Sequence, residues 1–361
     1  MSTKLTIAVQ GCAHGELNSI YRSITTQYAS KLPDLLIILG DFQSLRSEED
    51  MASIAVPDKY KKLGDFPKYY NGELKAPLPT IFIGGNHECM RGLLEIPSGG
   101  FVAKNIYYMG YSGSIVVQGV VISGLSGIYK RHDFNTRRPT LEQIEKEGWS
   151  RYVRNLYHVR KADVLPLFML KQTDVMLSHD WPNGVAHYGD LKKLLKLKPF
   201  FKQDIQNNNL GSPVSWQLMR NLMPQWWLSA HLHVKFESEV SMSKRSLEEK
   251  NPDEIDLDLD LDPEASETAV QPKVTKFLAL DKCGRNRKHM DIIVVDSNLN
   301  HPTYDPVTFK MYLNPEFVAN QKYLAQNEQN ARLEDINFEE VRQQRGDLAT
   351  VKWEDYELTN V

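Results

Sequence analysis

The sequence predicts a layered α/β fold in which the sheet is largely buried. Between residues 4 and 236, short apolar runs rich in β-branched residues alternate with segments of helical periodicity. The runs are almost continuously hydrophobic, which is typical of strands covered on both faces. With 361 residues, the chain is long enough for one large domain with an appended region, or for two domains.

The predicted elements follow one another in a regular order. The first apolar run, residues 5–9, precedes a helical segment whose apolar face comprises Leu17, Ile20, Tyr21, Ile24 and Tyr28. Further buried strands are predicted at residues 35–39, 80–83, 115–123, 175–178 and 226–229. Residues 275–283 and 290–296 are predicted to be strands that return to the core, and residues 314–361 to pack as helices.

An acidic segment interrupts this pattern after residue 237. Residues 238–274 are rich in charge and contain no aromatic residue, so we expect an acidic, disordered surface insertion. The formal net charge is −3, but the rest of the chain carries +5 without the acidic residues Asp253, Glu254, Asp256, Asp258, Asp260, Asp262, Glu264 and Glu267. A mildly basic folded part tolerates a polyanionic partner. The insertion or the C-terminal tail could bind a protein partner, which no residue identifies.

The apolar stretches and the cysteines limit where the protein is expected to work. No stretch approaches the roughly 18 apolar residues of a membrane span, and the N-terminal run is too short for a signal sequence. We therefore expect a soluble intracellular protein without membrane contact. Three cysteines spread over a long chain favour reduced thiols, which are free to bind metal.

Polar residues directly follow five of the apolar runs, in the motifs "QGCAHGE", "LGDFQ", "GGNHE", "SHDWP" and "SAHLHV". Ligands bind at the carboxyl ends of strands in open α/β sheets, so we expect these motifs to converge at the carboxyl edge of one sheet. Any one of the histidines alone would more often be a structural or surface residue than a ligand. Their joint occurrence favours a functional site formed by Cys12, His14, Asp41, Asn86, His87, His179, His231 and His233.

The order of these motifs resembles that of the calcineurin-like metallophosphoesterases, whose dinuclear centre normally begins with Asp-x-His. With Cys12 in place of that aspartate, and with "KYKKLGDF", "NLYHVR", "HDWPNG" and "LGSP", the chain is similar to the RNA lariat debranching enzymes, most of all the fungal ones. The resemblance covers about residues 4–236 and resumes at residue 275. It implies a metallophosphoesterase β-sandwich flanked by helices at residues 1–237, and a smaller C-terminal region, residues 275–361, packing on it.

The same resemblance implies two divalent metal ions. One ion would be held by Cys12, His14, Asp41 and His233, and the other by Asp41, Asn86, His179 and His231. The shared carboxylate would offset the repulsion between two neighbouring cations, and neutral imidazoles would complete the coordination. A thiolate at Cys12 is softer than aspartate and favours Zn²⁺ or another thiophilic ion over Mg²⁺. The resemblance implies Zn²⁺, Fe²⁺ or Mn²⁺, and the residues do not choose among them.

His87 follows the predicted ligand Asn86 but belongs to neither ligand set. We therefore predict that it is the general acid that protonates the departing alkoxide, and Glu88 could orient it. The alternative is a structural histidine behind the ligands. Cys89 and Cys283 have no motif partner and are predicted to be structural.

A segment of about residues 129–161 interleaves basic and aromatic residues. Basic groups can neutralise phosphates while aromatic rings stack on unpaired bases, as expected for single-stranded or branched RNA. The alternative is a solvated helix with buried aromatic side chains, and composition does not decide between the two. The resemblance implies a lariat-recognition segment here, with Tyr129, His158 and Arg160 as predicted RNA contacts.

The resemblance implies that the protein is a hydrolase of mRNA processing and intron turnover. It would cleave the 2'-5' phosphodiester at the branch point of an excised intron lariat, leaving a linear RNA with a 5'-phosphate. The alternatives are another metallophosphoesterase, such as a general phosphodiesterase or nuclease, and a non-catalytic scaffold on the same fold. We expect nuclear residence, and also cytoplasmic residence, from the substrate and not from a signal. "KCGRNRKH" at residues 282–289 is only weakly basic and lies in a predicted folded segment.

Overall fold

Two β-sheets pack face to face, with helices on both outer faces. The computed structural model describes residues 3–242, 273–348 and 350–359. In chain order, the strands of these residues are β1 (Lys4–Gln10), β2 (Leu35–Ile38), β3 (Thr80–Phe82), β4 (Gly100–Ala103), β5 (Ile106–Tyr108), β6 (Ser112–Val117), β7 (Val120–Leu125), β8 (Val175–Ser178), β9 (Trp226–Ser229), β10 (Phe236–Met242), β11 (Lys273–Ala279), β12 (Met290–Asp296) and β13 (Met311–Leu313).

The helices lie mostly between the strands. They are α1 (Leu17–Gln27), α2 (Phe66–Tyr70), α3 (Met90–Glu95), α4 (Arg131–Phe134), α5 (Leu141–Glu147), α6 (Trp149–Leu156), α7 (Lys161–Phe168), α8 (Leu191–Leu197), α9 (Phe201–Gln206), α10 (Pro213–Leu222), α11 (Pro315–Gln326) and α12 (Phe338–Arg345). Short 3-10 helices occur at Glu48–Ser53, Asp58–Tyr60, Val185–Tyr188, Leu333–Asp335 and Trp353–Tyr356. None of the described helices is long and apolar enough to cross a membrane.

Each sheet has a parallel centre and antiparallel edges. The first sheet has the strand order β12-β1-β2-β3-β5-β4, in which β1, β2, β3 and β5 run parallel. The second has the order β10-β11-β9-β8-β7-β6-β13, in which β11, β9, β8 and β7 run parallel. The parallel strands end in loops at their carboxyl ends, where the polar motifs of the sequence lie.

The main core lies between the two sheets. Ile7 and Val9 of β1 and Ile37 of β2 belong to one buried cluster with Leu177 and Leu228 of the second sheet. The intervening residues of the first sheet, such as Ala8, Leu36 and Ile38, lie in a second cluster with α1. Since successive strand residues point to opposite faces, both faces of the sheet are covered. This confirms the predicted layered α/β sandwich and explains the continuous hydrophobicity of its strands.

Most of the predicted strands occur at the predicted residues, but the run at residues 115–123 is not a single strand. It forms the hairpin of β6 and β7, which turns at Gln118 and Gly119. Both residues have positive φ angles, 51° and 73°, as a tight two-residue hairpin turn requires. Gln-Gly is not a strong hairpin signal. The apolar residues on either side of it were therefore predicted to form one strand.

The C-terminal region completes both sheets and does not merely pack against a finished domain. β12 pairs with β1 in the first sheet, whereas β11 pairs with β9 and β13 with β6 in the second. The predicted division into a catalytic domain of residues 1–237 and a C-terminal region therefore does not separate two independent cores. The predicted strands at residues 275–283 and 290–296 do return to the core, as β11 and β12. Which strands they pair with left no local signal in the sequence.

The acidic insertion is shorter than predicted. β10 extends to Met242 and pairs antiparallel with β11 from Lys273, so residues 238–242 and 273–274 are strand. Ser238, Val240 and Thr275 are buried. The buried residues of β10 alternate with exposed polar residues. Its composition is therefore polar overall, and the predicted boundary of the insertion was placed inside this strand. The rest of the predicted insertion, residues 243–272, lies outside the described residues.

The role of β12 in the core yields a stability prediction. Replacing Ile293, which is buried between the sheets, by Ala should lower the free energy of unfolding by about 2 to 5 kcal/mol because it leaves a cavity. Val294 is the next residue on the opposite face and is 45% exposed. Val294→Ala should change the free energy by less than about 1 kcal/mol. Urea unfolding followed by circular dichroism measures both, and similar losses would contradict this placement of β12.

Candidate metal centre

The polar motifs meet at one end of the sandwich, between its two sheets. Cys12, His14, Asp41 and Asn86 lie in the loops after β1, β2 and β3 of the first sheet. His179, His231 and His233 follow β8 and β9 of the second sheet. The expectation that all motifs would share the edge of one sheet is therefore wrong. The carboxyl ends of the parallel strands of both sheets face the same side, and each sheet supplies part of the site.

A first group of ligand atoms surrounds one position. The Sγ of Cys12, ring nitrogens of His14 and His233 and a carboxylate oxygen of Asp41 all lie within 4.8 Å of one another. The Nε2 atoms of His14 and His233 are 3.3 Å apart, and His14 Nε2 is 3.6 Å from Asp41 Oδ2. A tetrahedral ion bound at ordinary Zn–N and Zn–S lengths separates its ligand atoms by about 3.4 to 3.7 Å. These four residues therefore fit a single divalent cation.

A second group lies on the other side of Asp41. His179 Nε2 is 3.4 Å from Asp41 Oδ1 and 3.2 Å from Asn86 Oδ1. The ring of His231 lies 5.0 Å from that of His179, centroid to centroid. The Nδ1 atom of His179 lies 2.7 Å from the Leu39 carbonyl oxygen, so this nitrogen donates and Nε2 keeps its lone pair for a metal. The two oxygens of Asp41 thus face different ligand groups, as a bridging carboxylate requires.

Burial sets the protonation of the ligands. It is the main cause that lowers the pKa of His14, His179 and His231, and it lowers that of His233 to about 3. These imidazoles are therefore neutral near pH 7 and can donate lone pairs. Burial and then the charge of Asp41 raise the pKa of the Cys12 thiol, so a cation at this position must displace the thiol proton to bind.

The pKa of Asp41 moves in the direction that a metal ligand needs. Burial alone would raise it, but charge interactions with the imidazoles of His179, His14 and His87 in their protonated forms bring the pKa below its usual range. The backbone N–H of His87 also donates a hydrogen bond of 2.8 Å to Asp41 Oδ1. Asp41 is therefore ionised, and it supplies permanent negative charge to both ligand groups.

Sharp backbone turns aim the ligands into the site. His14, Asp41, His231 and His233 all have φ angles between 48° and 62°, the left-handed region that side chains other than glycine rarely adopt. Such strain concentrates at functional sites, where the surrounding structure holds it. The sequence motifs marked these positions as functional but gave no sign of the turn.

Two glycines leave room for the ligands, a role that the motif analysis missed. A Cβ atom at Gly85 would lie 2.2 Å from Asp41 Oδ1, and one at Gly40 would lie 2.3 Å from His179 Nδ1. The backbone conformation of Gly85 is open to any residue. Glycine is required at this position because the Asp41 carboxylate leaves no room for a Cβ atom. The sequence signal that could have indicated this role is the position of the glycines directly before Asp41 and Asn86, in the Gly-Asp and Gly-Gly-Asn motifs.

Glu88 ties two of the ligand loops together instead of orienting His87. Its buried carboxylate accepts hydrogen bonds from the backbone N–H groups of Phe42, Gln43 and Gly85, at 2.7 to 2.9 Å. The expectation that it orients His87 is wrong, because the His87 ring instead places Nδ1 3.1 Å from the Ala55 carbonyl oxygen. Every oxygen of Glu88 already faces a main-chain donor.

The ring of His87 borders the first ligand group. Its centroid lies 5.9 Å from that of His14, and the side chain is half-buried. With Nδ1 directed at Ala55, the Nε2 atom faces away from that carbonyl. The structure thus places His87 beside both ligand groups without making it part of either, and its role as general acid stays a prediction.

The other two cysteines lie outside the ligand groups. Cys89 is buried beside Ser53, whose hydroxyl donates to its sulfur at 3.7 Å. Cys283 is half-buried, and burial raises the pKa of its thiol. Both positions agree with the structural role predicted for them.

Many basic and aromatic residues of the segment 129–161 are internal. Arg138 donates two hydrogen bonds to the Asp163 carboxylate, at 2.9 and 3.1 Å, and its guanidinium lies 3.6 Å from the centre of the Tyr111 ring. The rings of Phe134 and Trp149 are buried. The alternative of buried aromatic side chains therefore holds for this part of the segment, while exposed basic residues remain at Lys130, Arg131, Arg137, Arg151 and Arg154.

The three predicted RNA contacts have different environments. Tyr129 is half-buried, packs on Phe134, and donates its backbone N–H to Asp180 at 3.3 Å. His158 is buried, with Nδ1 2.6 Å from Asp133 Oδ2. Arg160 is only 3% exposed, and its guanidinium donates to the carbonyl oxygens of His158 and Asn155. RNA contact by these three residues stays a prediction. In the structure, Arg160 holds the backbone of the segment through its two hydrogen bonds.

A further histidine and carboxylate cluster lies in this segment. His132, Asp133 and His158 bring three ligand-type atoms within 4.8 Å of one another. However, the Arg160 guanidinium lies 3.8 Å from the Asp133 carboxylate and already balances its charge. His132 is also largely exposed. We therefore assign no metal ion to this cluster.

This combination of sandwich and bridged ligand groups defines the class of calcineurin-like metallophosphoesterases. The model of the calcineurin-like phosphoesterase family matches residues 5–235. A second model, the C-terminal domain of lariat debranching enzymes, matches residues 272–356.

Comparison with curated proteins narrows the class. The lariat debranching enzyme of Saccharomyces cerevisiae is 49% identical over 99% of this chain and 94% of its own length. The Xenopus laevis lariat debranching enzyme A and the human enzyme are 45% and 43% identical over 82% of this chain, which spans about half the length of each. The chain belongs to the lariat debranching enzymes, which are metal-dependent phosphodiesterase hydrolases.

The crowding at Gly85 yields a prediction on metal binding. In Gly85→Ala, the new methyl group must displace the Asp41 carboxylate, so metal affinity should fall by about 10 to 100-fold. A methyl group at the neighbouring Gly84 would meet no atom closer than 3.4 Å, so Gly84→Ala serves as the matched control. Metal content after Mn²⁺ loading and gel filtration compares the two. Equal metal retention by the two variants would show that metal binding does not require the space left by the missing Cβ atom of Gly85.

Proposed function

We propose that this protein hydrolyses the 2'-5' phosphodiester at the branch point of excised intron lariats. The products would be a linear RNA with a 5'-phosphate and a free 2'-hydroxyl at the branch nucleotide. The observation that carries the proposal is the geometry of Asp41, whose two oxygens face two separate ligand groups. Membership in the lariat debranching enzymes supports this bond as the target.

We propose two divalent ions at the two ligand groups. Cys12, His14, Asp41 and His233 would hold one, and Asp41, Asn86, His179 and His231 the other. When bound, such ions stabilise the negative charge that develops on phosphate oxygens during in-line displacement. The proposed occupants are Zn²⁺, Fe²⁺ or Mn²⁺, as membership in the family suggests, and the buried Cys12 thiol favours a thiophilic ion such as Zn²⁺ at the first position.

His87 is the proposed general acid. Its Nδ1 atom faces the Ala55 carbonyl oxygen, which fixes the ring and directs Nε2 away from that contact. A protonated Nε2 can give its proton to the departing 2'-oxygen, because the ring borders the ligand groups without joining them. Its backbone N–H holds Asp41 at the same time, so the acid and the bridging ligand keep a fixed relation.

The segment 129–161 is the proposed recognition element for the branched RNA. Its exposed basic residues can contact phosphates, and the half-buried Tyr129 lies beside Asp180, the neighbour of ligand His179. RNA contact by Tyr129, His158 and Arg160 remains part of this proposal. We also propose nuclear residence, where intron lariats form, and a protein partner for the acidic insertion or the C-terminal tail.

The substrate preference can be tested directly. Purified protein loaded with Mn²⁺, Fe²⁺ or Zn²⁺ is incubated with a short branched RNA and with its linear 3'-5' isomer. Loss of the branch alone, with a 5'-phosphate on the product, is the expected result. Equal cleavage of both RNAs would indicate a general phosphodiesterase, and no cleavage with any ion would favour a scaffold.

The general acid has a test of its own in the same assay. His87→Ala should slow debranching by about 10² to 10⁴-fold, because the departing oxygen loses its proton donor. His187→Ala removes an exposed imidazole outside the ligand groups and should leave the rate unchanged. If His87→Ala cleaves the branch at nearly the rate of the unaltered protein, another group must protonate the departing oxygen.

The thiol at Cys12 should determine the metal preference. Cys12→Asp replaces a soft ligand by a hard one of the same charge, so the preference for Zn²⁺ over Mn²⁺ should fall at least about tenfold. Competition titrations of the metal-free protein measure this ratio. Cys283→Ser, which alters a thiol outside the ligand groups, should leave it unchanged. An unaltered ratio in Cys12→Asp would show that the thiol does not bind the ion.

A further inference from the structure

The helix α7 begins at the end of the segment 129–161 and anchors it. Asp163, in the first turn of α7, accepts a hydrogen bond of 2.7 Å from the backbone N–H of Arg160. The same carboxylate accepts two hydrogen bonds from Arg138, at 2.9 and 3.1 Å. Arg138 also donates to the carbonyl oxygen of His158 at 2.9 Å. The position of α7 therefore sets the position of this segment.

The C-terminal region contacts α7 at its beginning. Lys161, the first residue of α7, donates from Nζ to the carbonyl oxygens of Gln329 and Ala331, at 2.6 Å to the former. Both acceptors belong to the loop 327–332, which follows α11. By composition, Lys161 is one of the basic residues that could neutralise a phosphate. In the structure, its ammonium instead joins α7 to two main-chain carbonyl groups of the C-terminal region.

The same region also contacts α7 at its other end. Arg342 of α12 donates to the carbonyl oxygen of Phe168 at 3.3 Å, and Asn320 of α11 donates to that of Pro166 at 3.0 Å. The last carbonyl groups of a helix have no partner within it, so these two side chains satisfy acceptors that would otherwise be unpaired. The rings of Phe168 and Phe338 stack with their centroids 4.9 Å apart. The helices α11 and α12 therefore hold the end of α7.

A cleft of about 650 Å³ lies beside Lys161, between the segment and the C-terminal region. Its lining includes Phe134 and Arg137 of the segment and Leu324 and Glu328 of the C-terminal region. Arg137 and Glu328 form an ion pair of 3.3 Å across it, but their side chains are 91% and 68% exposed. Ion pairs this exposed contribute little to stability. Because the open cleft leaves the two surfaces without close packing there, Lys161 carries most of the connection at this end of α7.

We infer that Lys161 is a positioning residue, which joins α7 to the loop 327–332 and so keeps the segment 129–161 in the orientation that accepts branched RNA. The inference rests on the proposed function and gives the C-terminal region a part in substrate affinity. Lys161 acts through Asp163 and Arg138, and its ammonium does not touch the RNA. A segment that must first be ordered binds its substrate less tightly, because ordering uses part of the binding free energy.

The test compares debranching kinetics of two variants of the Mn²⁺-loaded protein. Lys161→Met removes the ammonium and keeps an apolar side chain, whereas deletion of Asn330 shifts the two carbonyl acceptors and keeps Lys161. In both variants, the KM for a short branched RNA should rise by roughly two to 30-fold, while kcat and metal content stay unchanged. The matched control is Lys322→Met, which alters an exposed lysine of α11 outside these contacts. It should change none of these quantities.

The salt dependence of RNA binding separates positioning from direct phosphate contact. For a positioning residue, the slope of log affinity against log salt should be the same in Lys161→Met as in the unaltered protein. A slope smaller in magnitude by about 0.7, with no effect of the Asn330 deletion, would make Lys161 a phosphate contact and overturn the inference.

Two further results would contradict the positioning role. One is an unchanged KM in both variants. The other is a joint loss of kcat, metal content and melting temperature, which would show that the contact serves only the stability of the fold. Failure of the unaltered protein to open branched RNA would instead refute the proposed function, whatever the variants show.

Discussion

The carboxylate of Asp41 is the contact on which the candidate centre depends. It is buried between two sheets and within 3.6 Å of imidazoles from both of them. Its strained backbone turn, the hydrogen bond from the His87 N–H and the missing Cβ of Gly85 all serve to hold it there. A buried carboxylate without compensation is costly, and neighbouring imidazoles, main-chain donors and a cation each reduce that cost.

This constraint explains why the sandwich and its C-terminal strands form one unit. The ligand loops of the first sheet must stay fixed relative to those of the second, and the core between the sheets holds them. β12 and β11 add strands to both sheets, and the connection between them packs on Cys12. The part of the chain that follows the acidic segment therefore supports the geometry of the centre.

The basic residues of the segment 129–161 differ in whether they have partners within the fold. Within the segment 129–161, Arg138 and Arg160 are internal and fix the loop. Arg137 and Arg151 are exposed but form ion pairs with Glu328 and Glu147, and Lys130, Arg131 and Arg154 are also exposed. Composition counts the charged residues of this segment without showing which of them already have partners within the fold.

The sequence by itself determined most of the strands, the order of the five motifs and the candidate ligand residues. Residue chemistry and local periodicity are encoded along the chain, so continuous apolar runs and polar residues at their ends could be read directly. Only the tertiary structure decided that the ligands come from two sheets, that Glu88 clamps loops instead of orienting His87, and that the β11–β12 connection borders Cys12. These features depend on contacts between residues that are far apart in sequence, and such contacts leave no local pattern to read.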